Sequence, residues 1–317
     1  MAVTQVGKEE LNMETITWGD LTWINIQPPT QKEIEYLAKN YPFHPLDLDD
    51  CLSRTQRPKI DEYEDYLFLI LHFQIYNLQT RVSRHGQVSV FVGDKYLITL
   101  HDGELRPLVK LFKECQVSEE SRSEHFSHGS GYILYRIFDR MVDAYYPILN
   151  KIWGLMEGME ERVFDPHVET AEEVATMRRD IITQRRVLFP MRTQVIELES
   201  KLTRYIKKIG MSVYWGDLMD HLNKICESLD EAKETIEVYK DATFVLGTER
   251  LNRIMRILTI LGTILLPFIV VSSIYGMNVS LPGGLEEGAY LSFAILLLVM
   301  AAIAAGMFYF FHRKRWI

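Results

Sequence analysis

The chain ends in two long stretches without a charged residue, and these constrain its folding more than any other feature. Ile257–Ile274 reads ILTILGTILLPFIVVSSI. As a helix it would extend roughly 27 Å, close to the ~30 Å hydrocarbon core of a bilayer. Ala289–Phe311 reads AYLSFAILLLVMAAIAAGMFYFF and is also uncharged and long enough to span. Two buried core helices are the alternative, but helices of soluble domains carry a polar stripe. Pro267 falls inside the first run. A helix in lipid tolerates such a proline where neighbouring groups satisfy the freed carbonyl.

The flanking charges orient the spans. Arg250, Arg253 and Arg256 precede the first, and Arg313, Lys314 and Arg315 follow the second. The connecting loop, Tyr275 to Gly288, has no basic residue and carries Glu286 and Glu287. Cytoplasmic flanks are rich in Lys and Arg, so both termini are expected in the cytoplasm of a multi-pass cell-membrane protein. The N-terminal segment Met1–Met13 lacks a basic stretch followed by an apolar run, so no secretory signal is expected there.

Composition narrows the partners. Acidic residues outnumber basic ones 43 to 35, a net charge of -8, which argues against nucleic acid as a general partner. Cys51, Cys115 and Cys226 lie far apart and form no C-x-x-C pair, which fits a reducing compartment. No H-E-x-x-H, G-x-x-x-x-G-K-[ST] or G-x-S-x-G is present, so no enzyme is expected.

Residues 1–125 read as a mixed α/β domain. TITW from Thr15 and TWINI from Thr22 are β-like, and Thr30 to Asn40 has helical spacing with Thr30 as cap. Tyr66–Tyr76 reads as a buried strand, and Val88–Val92, Gly93-Asp94-Lys95 and Tyr96–His101 as a hairpin. Residues 126–250 read as helical. Gly131–Val163 is expected as one helix, and Val168–Tyr205 as another, interrupted or kinked at Pro190. A stalk helix begins near Met211 and runs to about residue 256. Leu218, Leu222, Ile225, Leu229, Ala232, Ile236, Tyr239, Thr243 and Leu246 follow heptad spacing along it. The pattern continues into the first span without a turn signal, giving a helix of roughly 95 Å. The remaining segments are 257–274 (first span), 275–288 (loop), 289–311 (second span) and 312–317 (basic tail). Two spans cannot enclose an aqueous path in one chain, so a transporter of this kind must assemble from several copies. The heptad seam supplies a reason to assemble. A stalk that merely spaces a domain from the membrane has the same spacing.

Tyr275-Gly276-Met277-Asn278 stands at the outer end of the first span. With TWIN at Thr22, HPLDLDD at His44, QRPKIDEY at Gln56, NRIMRILTILGTILLP at Asn252 and the terminal HRKRWI, it resembles the CorA family of divalent metal ion transporters. The resemblance implies a funnel-shaped homopentamer with a pore lined by the first span. It implies Mg2+ as the ion, with Co2+ or Ni2+ also carried. It matches Asn252, Met255, Leu258, Gly262, Leu266, Ile269 and Ser273 to the pore face. A helix-packing stripe would share their steps of three and four. Many family members have Thr where Ile269 stands, and the loop LPGGLEEG departs from the usual acidic segment.

The chemistry of the motif follows from the ion. Mg2+ dehydrates reluctantly, so quick passage favours outer-shell hydrogen bonds to its water. The carboxamide oxygen of Asn278 is a suitable acceptor, and a ring of them attracts the hydrated ion without the deep trap of a carboxylate ring. Asn is also a common helix C-cap. Gly276 lets the backbone turn and present carbonyls. Met277 packs rather than binds, since a hard ion ignores thioether. Glu286 and Glu287 act through their field, or are plain solvated loop charge.

The resemblance also implies a gate. It matches Asp50, with Asp49 beside it, and Asp217 of the neighbouring subunit to acids that bind Mg2+ between subunits and hold the pore closed. Facing carboxylates repel until a divalent ion bridges them. Solvated surface acids are the plainer alternative. Three functions follow: a Mg2+ channel gated from inside, a transporter of Zn2+ or another transition metal, or a non-conducting scaffold or metal sensor on the membrane.

Overall fold

The computed structural model describes residues 11–53, 56–77, 82–202, 212–277 and 290–314. The chain divides into two compact units, one of residues 1–162 and 170–240, the other of 163–169 and 241–317.

The first unit is built on a mixed sheet of β1 (Met13–Trp18), β2 (Leu21–Ile26), β3 (Lys59–Glu62), β4 (Tyr66–Asn77), β5 (Val82–Gly93) and β6 (Tyr96–His101), in the order β1-β2-β6-β5-β4-β3. The expected hairpin forms, with Phe91 opposite Ile98 across the antiparallel β5–β6 pair. Among the described residues the one parallel pairing joins β2 to β6, with Ile24 opposite Ile98. Helices α1 (Gln31–Asn40) and α2 (Pro45–Leu52) cover one face. Ile34, Leu37, Phe43 and Leu48 pack there against Ile24, Phe68, Phe91 and Ile98. The other face is covered by α3 (Arg106–Val117), α5 (Ser130–Asp143) and α7 (Ala171–Leu202). Phe112 meets Trp23 edge-on at 5.0 Å, and Phe138 meets Phe73 at 5.4 Å. Both faces are buried, which is why the first half of β4, Tyr66 to Leu71, reads as an unbroken apolar run.

One buried polar chain crosses this sheet. Trp23 Nε1 donates to Thr99 Oγ1, which donates to Asn25 Oδ1 at 2.8 Å. Gly103 N–H donates to His101 Nδ1, so the imidazole proton sits on Nε2, which donates to Asn25 Oδ1. Burial holds this histidine neutral, with its pKa pushed down to about 4 despite nearby Asp102. Its contribution to stability is complete above the unfolded value of about 6.5 and is lost as pH falls toward 4, by up to about 3 kcal/mol. His101→Gln should flatten the dependence of the urea midpoint on pH between 6.5 and 4. An unchanged slope would assign acid lability elsewhere.

Two helical expectations need correction. Gly131–Val163 is not one helix. It divides into α5 and α6 (Tyr146–Val163), with Ala144 capping α5 by donating to Arg140. Pro147 is the cause: it has no N–H for the carbonyl of Asp143, and its ring clashes there. Conversely, α7 is not interrupted at Pro190 and continues through it as one helix. Pro190 and Arg186 are exposed, so water can satisfy the carbonyl that the proline leaves free. A short helix α4 (Glu119–Phe126) lies between α3 and α5.

Helix α8 (Ser212–Tyr275) is 64 residues long and contributes to both units. In the first unit its heptad residues from Leu218 to Tyr239 are buried within the single chain. Trp153 of α6 donates to Ser228 at 2.7 Å, and Arg178 of α7 pairs with Glu237 at 2.5 Å. From Leu218 to Tyr239 the seam is therefore filled by the chain's own helices rather than left open for a second copy, whereas Thr243 and Leu246 stay half-buried. In the second unit, Arg250 of α8 pairs with Glu169 at 2.9 Å and donates to the carbonyl of Pro166. The C-terminal part of α8 and α9 (Tyr290–Arg313) are long and apolar enough to cross a membrane.

Candidate functional site

The residues matched to a pore face lie on the C-terminal part of α8. Asn252, Gly262 and Ser273 are exposed in the single chain. So are Met255 (59%), Leu258 (70%), Leu266 (60%) and Ile269 (66%). A charge-free helix with its apolar side chains uncovered requires lipid or further copies around it. The hydroxyls of Thr259 and Thr263 donate to the carbonyls of Met255 and Thr259, both at 2.7 Å, and so add no free donor to the surface. Pro267 has no N–H, so the carbonyl of Thr263 lacks its helical partner.

The helix stops at the motif. Tyr275 is its last residue, Gly276 N–H donates to Ser272 and Met277 N–H donates to Ile274. A Cβ on Gly276 would approach the Ser272 carbonyl to 3.2 Å, so the bare glycine eases this close turn. Met277 is 56% exposed. Asn278, Glu286 and Glu287 lie outside the described residues.

The acids matched to a gate belong to the first unit and have different surroundings. Asp49 is exposed on α2. Asp50, one residue on, is half-buried and engaged at both oxygens. Lys59 Nζ lies 2.8 Å from its Oδ2, and Gln56 donates to its Oδ1 at 2.7 Å. Lys59 also lies 2.5 Å from Asp61 and 3.9 Å from the buried Asp47. Burial opposes charge on Lys59, but its contacts with Asp50 and Asp61 outweigh that and raise its pKa above the ordinary lysine range. Asp47 accepts hydrogen bonds from the hydroxyls of Tyr63 and Tyr66, yet burial holds its carboxyl above the usual range. Asp217 is exposed near the start of α8, 3.9 Å from His221. Among the described residues no ion pair or hydrogen bond joins Asp50 to Asp217, and no group of three metal-ligating side chains forms. One chain presents each acid separately.

A family model described as "CorA-like Mg2+ transporter protein" matches residues 18–313. The chain belongs to this family. The CorA-like chain is 31% identical to YfjQ of Bacillus subtilis strain 168, over 97% of this chain and 92% of that protein. It is 26% identical to the cobalt/magnesium transport protein CorA of Thermotoga maritima, over 93% of this chain and 83% of that one. A zinc transport protein, ZntB of Yersinia pseudotuberculosis, is 21% identical over 93% and 88%. The solved CorA magnesium transporter from Methanocaldococcus jannaschii shares the fold, with a TM-score of 0.74 at 23% identity, covering 95% of this chain and 94% of that one. This CorA-family member is therefore a divalent cation transporter with an α/β domain, a long helix and two C-terminal apolar helices.

Sequence reasoning missed what surrounds the acids. Lys59 and Asp61 are two apart on β3, so they share a face of the strand. Asp47 and Asp50 are three apart on α2 and share a face of the helix. Those spacings were the available signal. Asp139 was also missed. Burial, with help from Asp143, raises its carboxyl above the usual range although Arg136 lies 2.7 Å away. His221 also acts on Asp139, and Asp217 acts on the neighbouring Tyr135.

Proposed function

We propose that the protein carries Mg2+ into the cell as a homopentamer, with Co2+ and Ni2+ as further cargo. The C-terminal part of α8 lines the path as the first span, α9 forms the second, and both termini lie in the cytoplasm. The observation that carries this reading is the end of α8. In a CorA-family chain, the charge-free last stretch of α8, from Ile257, ends at Tyr275 and leads through Gly276 and Met277 directly into Asn278. Mg2+ releases its water reluctantly, so a ring of neutral carboxamides at the mouth selects the hydrated ion through hydrogen bonds to its water shell. Glu286 and Glu287 concentrate cations there by their field. Leu258 and Leu266 form apolar constrictions that close by dewetting, with Ile269 a further apolar ring and Asn252 a polar ring at the inner end. Asp50, with Asp49 beside it, and Asp217 of the next subunit bind cytoplasmic Mg2+ and bias the closed state.

Zinc is the second reading, favoured by the likeness to ZntB. Purified protein in liposomes loaded with a Mg2+-sensitive dye should show Mg2+ entry that external Co2+ and Ni2+ inhibit. Entry of Zn2+ without entry of Mg2+ would transfer the assignment to zinc. No entry of any ion would leave a scaffold or sensor.

A further inference from the structure

We propose that Lys59 is a tethered cation that competes with the divalent ion for Asp50 and so sets the concentration at which the gate fills. The inference rests on the reading of Asp50 as a sensing carboxylate. A lysine present only to neutralise the buried Asp47 would sit closest to Asp47. Lys59 instead is farthest from it, at 3.9 Å, and closest to the two more exposed acids, at 2.8 Å from Asp50 and 2.5 Å from Asp61. With Gln56 on Oδ1 and Lys59 on Oδ2, Asp50 offers an arriving dication no oxygen free of a hydrogen-bonded partner. The ion must displace the ammonium or share its oxygen.

Displacement is reversible because the ammonium is held elsewhere. Asp61 and Asp47 remain within its reach, and the ring of Phe68 lies 5.1 Å from it. Lys59 therefore shifts among neighbouring carboxylates instead of returning to bulk water. The competition is intramolecular and its strength is set by geometry. Asp50 and Asp61 sit on opposite sides of this balance: weakening one anchor transfers the ammonium to the other.

That balance predicts shifts of opposite sign. The full-length protein, in detergent, is digested with chymotrypsin across a Mg2+ titration, since trypsin would report loss of the lysine itself. The wild type should be protected by Mg2+ with a definite midpoint. Lys59→Met should lower that midpoint roughly three- to tenfold, the range expected for removing one charged hydrogen bond from a half-buried carboxylate. Asp61→Asn should raise it about two- to threefold, because Lys59 then rests on Asp50. Lys59→Arg should stay close to wild type. If Lys59→Met fails to fold, Asp61→Asn and Lys59→Arg still decide the matter. Midpoints that do not move, or that move in the same direction, would overturn the competition while leaving the sensor intact, provided Asp50→Asn loses protection. A wild type that Mg2+ does not protect, or an Asp50→Asn variant fully protected, would remove the sensor reading and the competition together.

Discussion

Asn278→Ala should reduce Mg2+ uptake into liposomes at least about tenfold, at unchanged incorporation of protein. On the proposed reading each copy loses one acceptor for metal-bound water, worth about 1 kcal/mol net, and the loss repeats around the ring. Asn278→Asp separates selection from simple attraction. A ring of carboxylates should bind Mg2+ more tightly and release it more slowly, so uptake falls while Mg2+ becomes a better inhibitor of Co2+ entry. Wild-type uptake by the alanine variant would mean that selection occurs elsewhere along the path.

The second large effect is on stability. Leu229 is fully buried in the α8 seam. Leu229→Ala removes buried methyl groups and leaves a cavity, at a cost of about 3 kcal/mol. Val238, on the same helix, is 57% exposed, and Val238→Ala should cost less than about 0.5 kcal/mol. Urea midpoints of the full chain in detergent compare the two. Equal, small losses would mean that the seam is not the core that its burial indicates.

Much of the fold was legible because its signals are local. The strands Tyr66–Asn77 and Tyr96–His101 and the long α8 announce themselves by apolar runs and periodicity. The parallel pairing of β2 with β6 joins residues more than seventy positions apart and has no local signal. Proline was read correctly as a breaker but misplaced. Pro190 lies on an exposed face where water can reach the freed carbonyl, whereas Pro147 follows the end of α5. The heptad period located a buried seam but not its partner, because the same spacing serves a neighbouring copy or the chain's own α6 and α7. For the site, the motif identified the helix end at Tyr275 and Gly276. The lysine that engages Asp50 was not legible, since it comes from a separate strand and only the fold brings β3 to α2.

Pro267 gives the apolar part of α8 a mechanical property of its own. Elsewhere, bending a helix away from its axis stretches or severs the peptide bonds' mutual attachment, and in lipid nothing replaces it. Between Thr263 and Pro267 that attachment never existed. The last turns before Tyr275 can therefore lean outward at the level of Leu266 through side-chain rearrangement alone. On the proposed reading, the constriction at that level yields more readily than one built anywhere else along the rod.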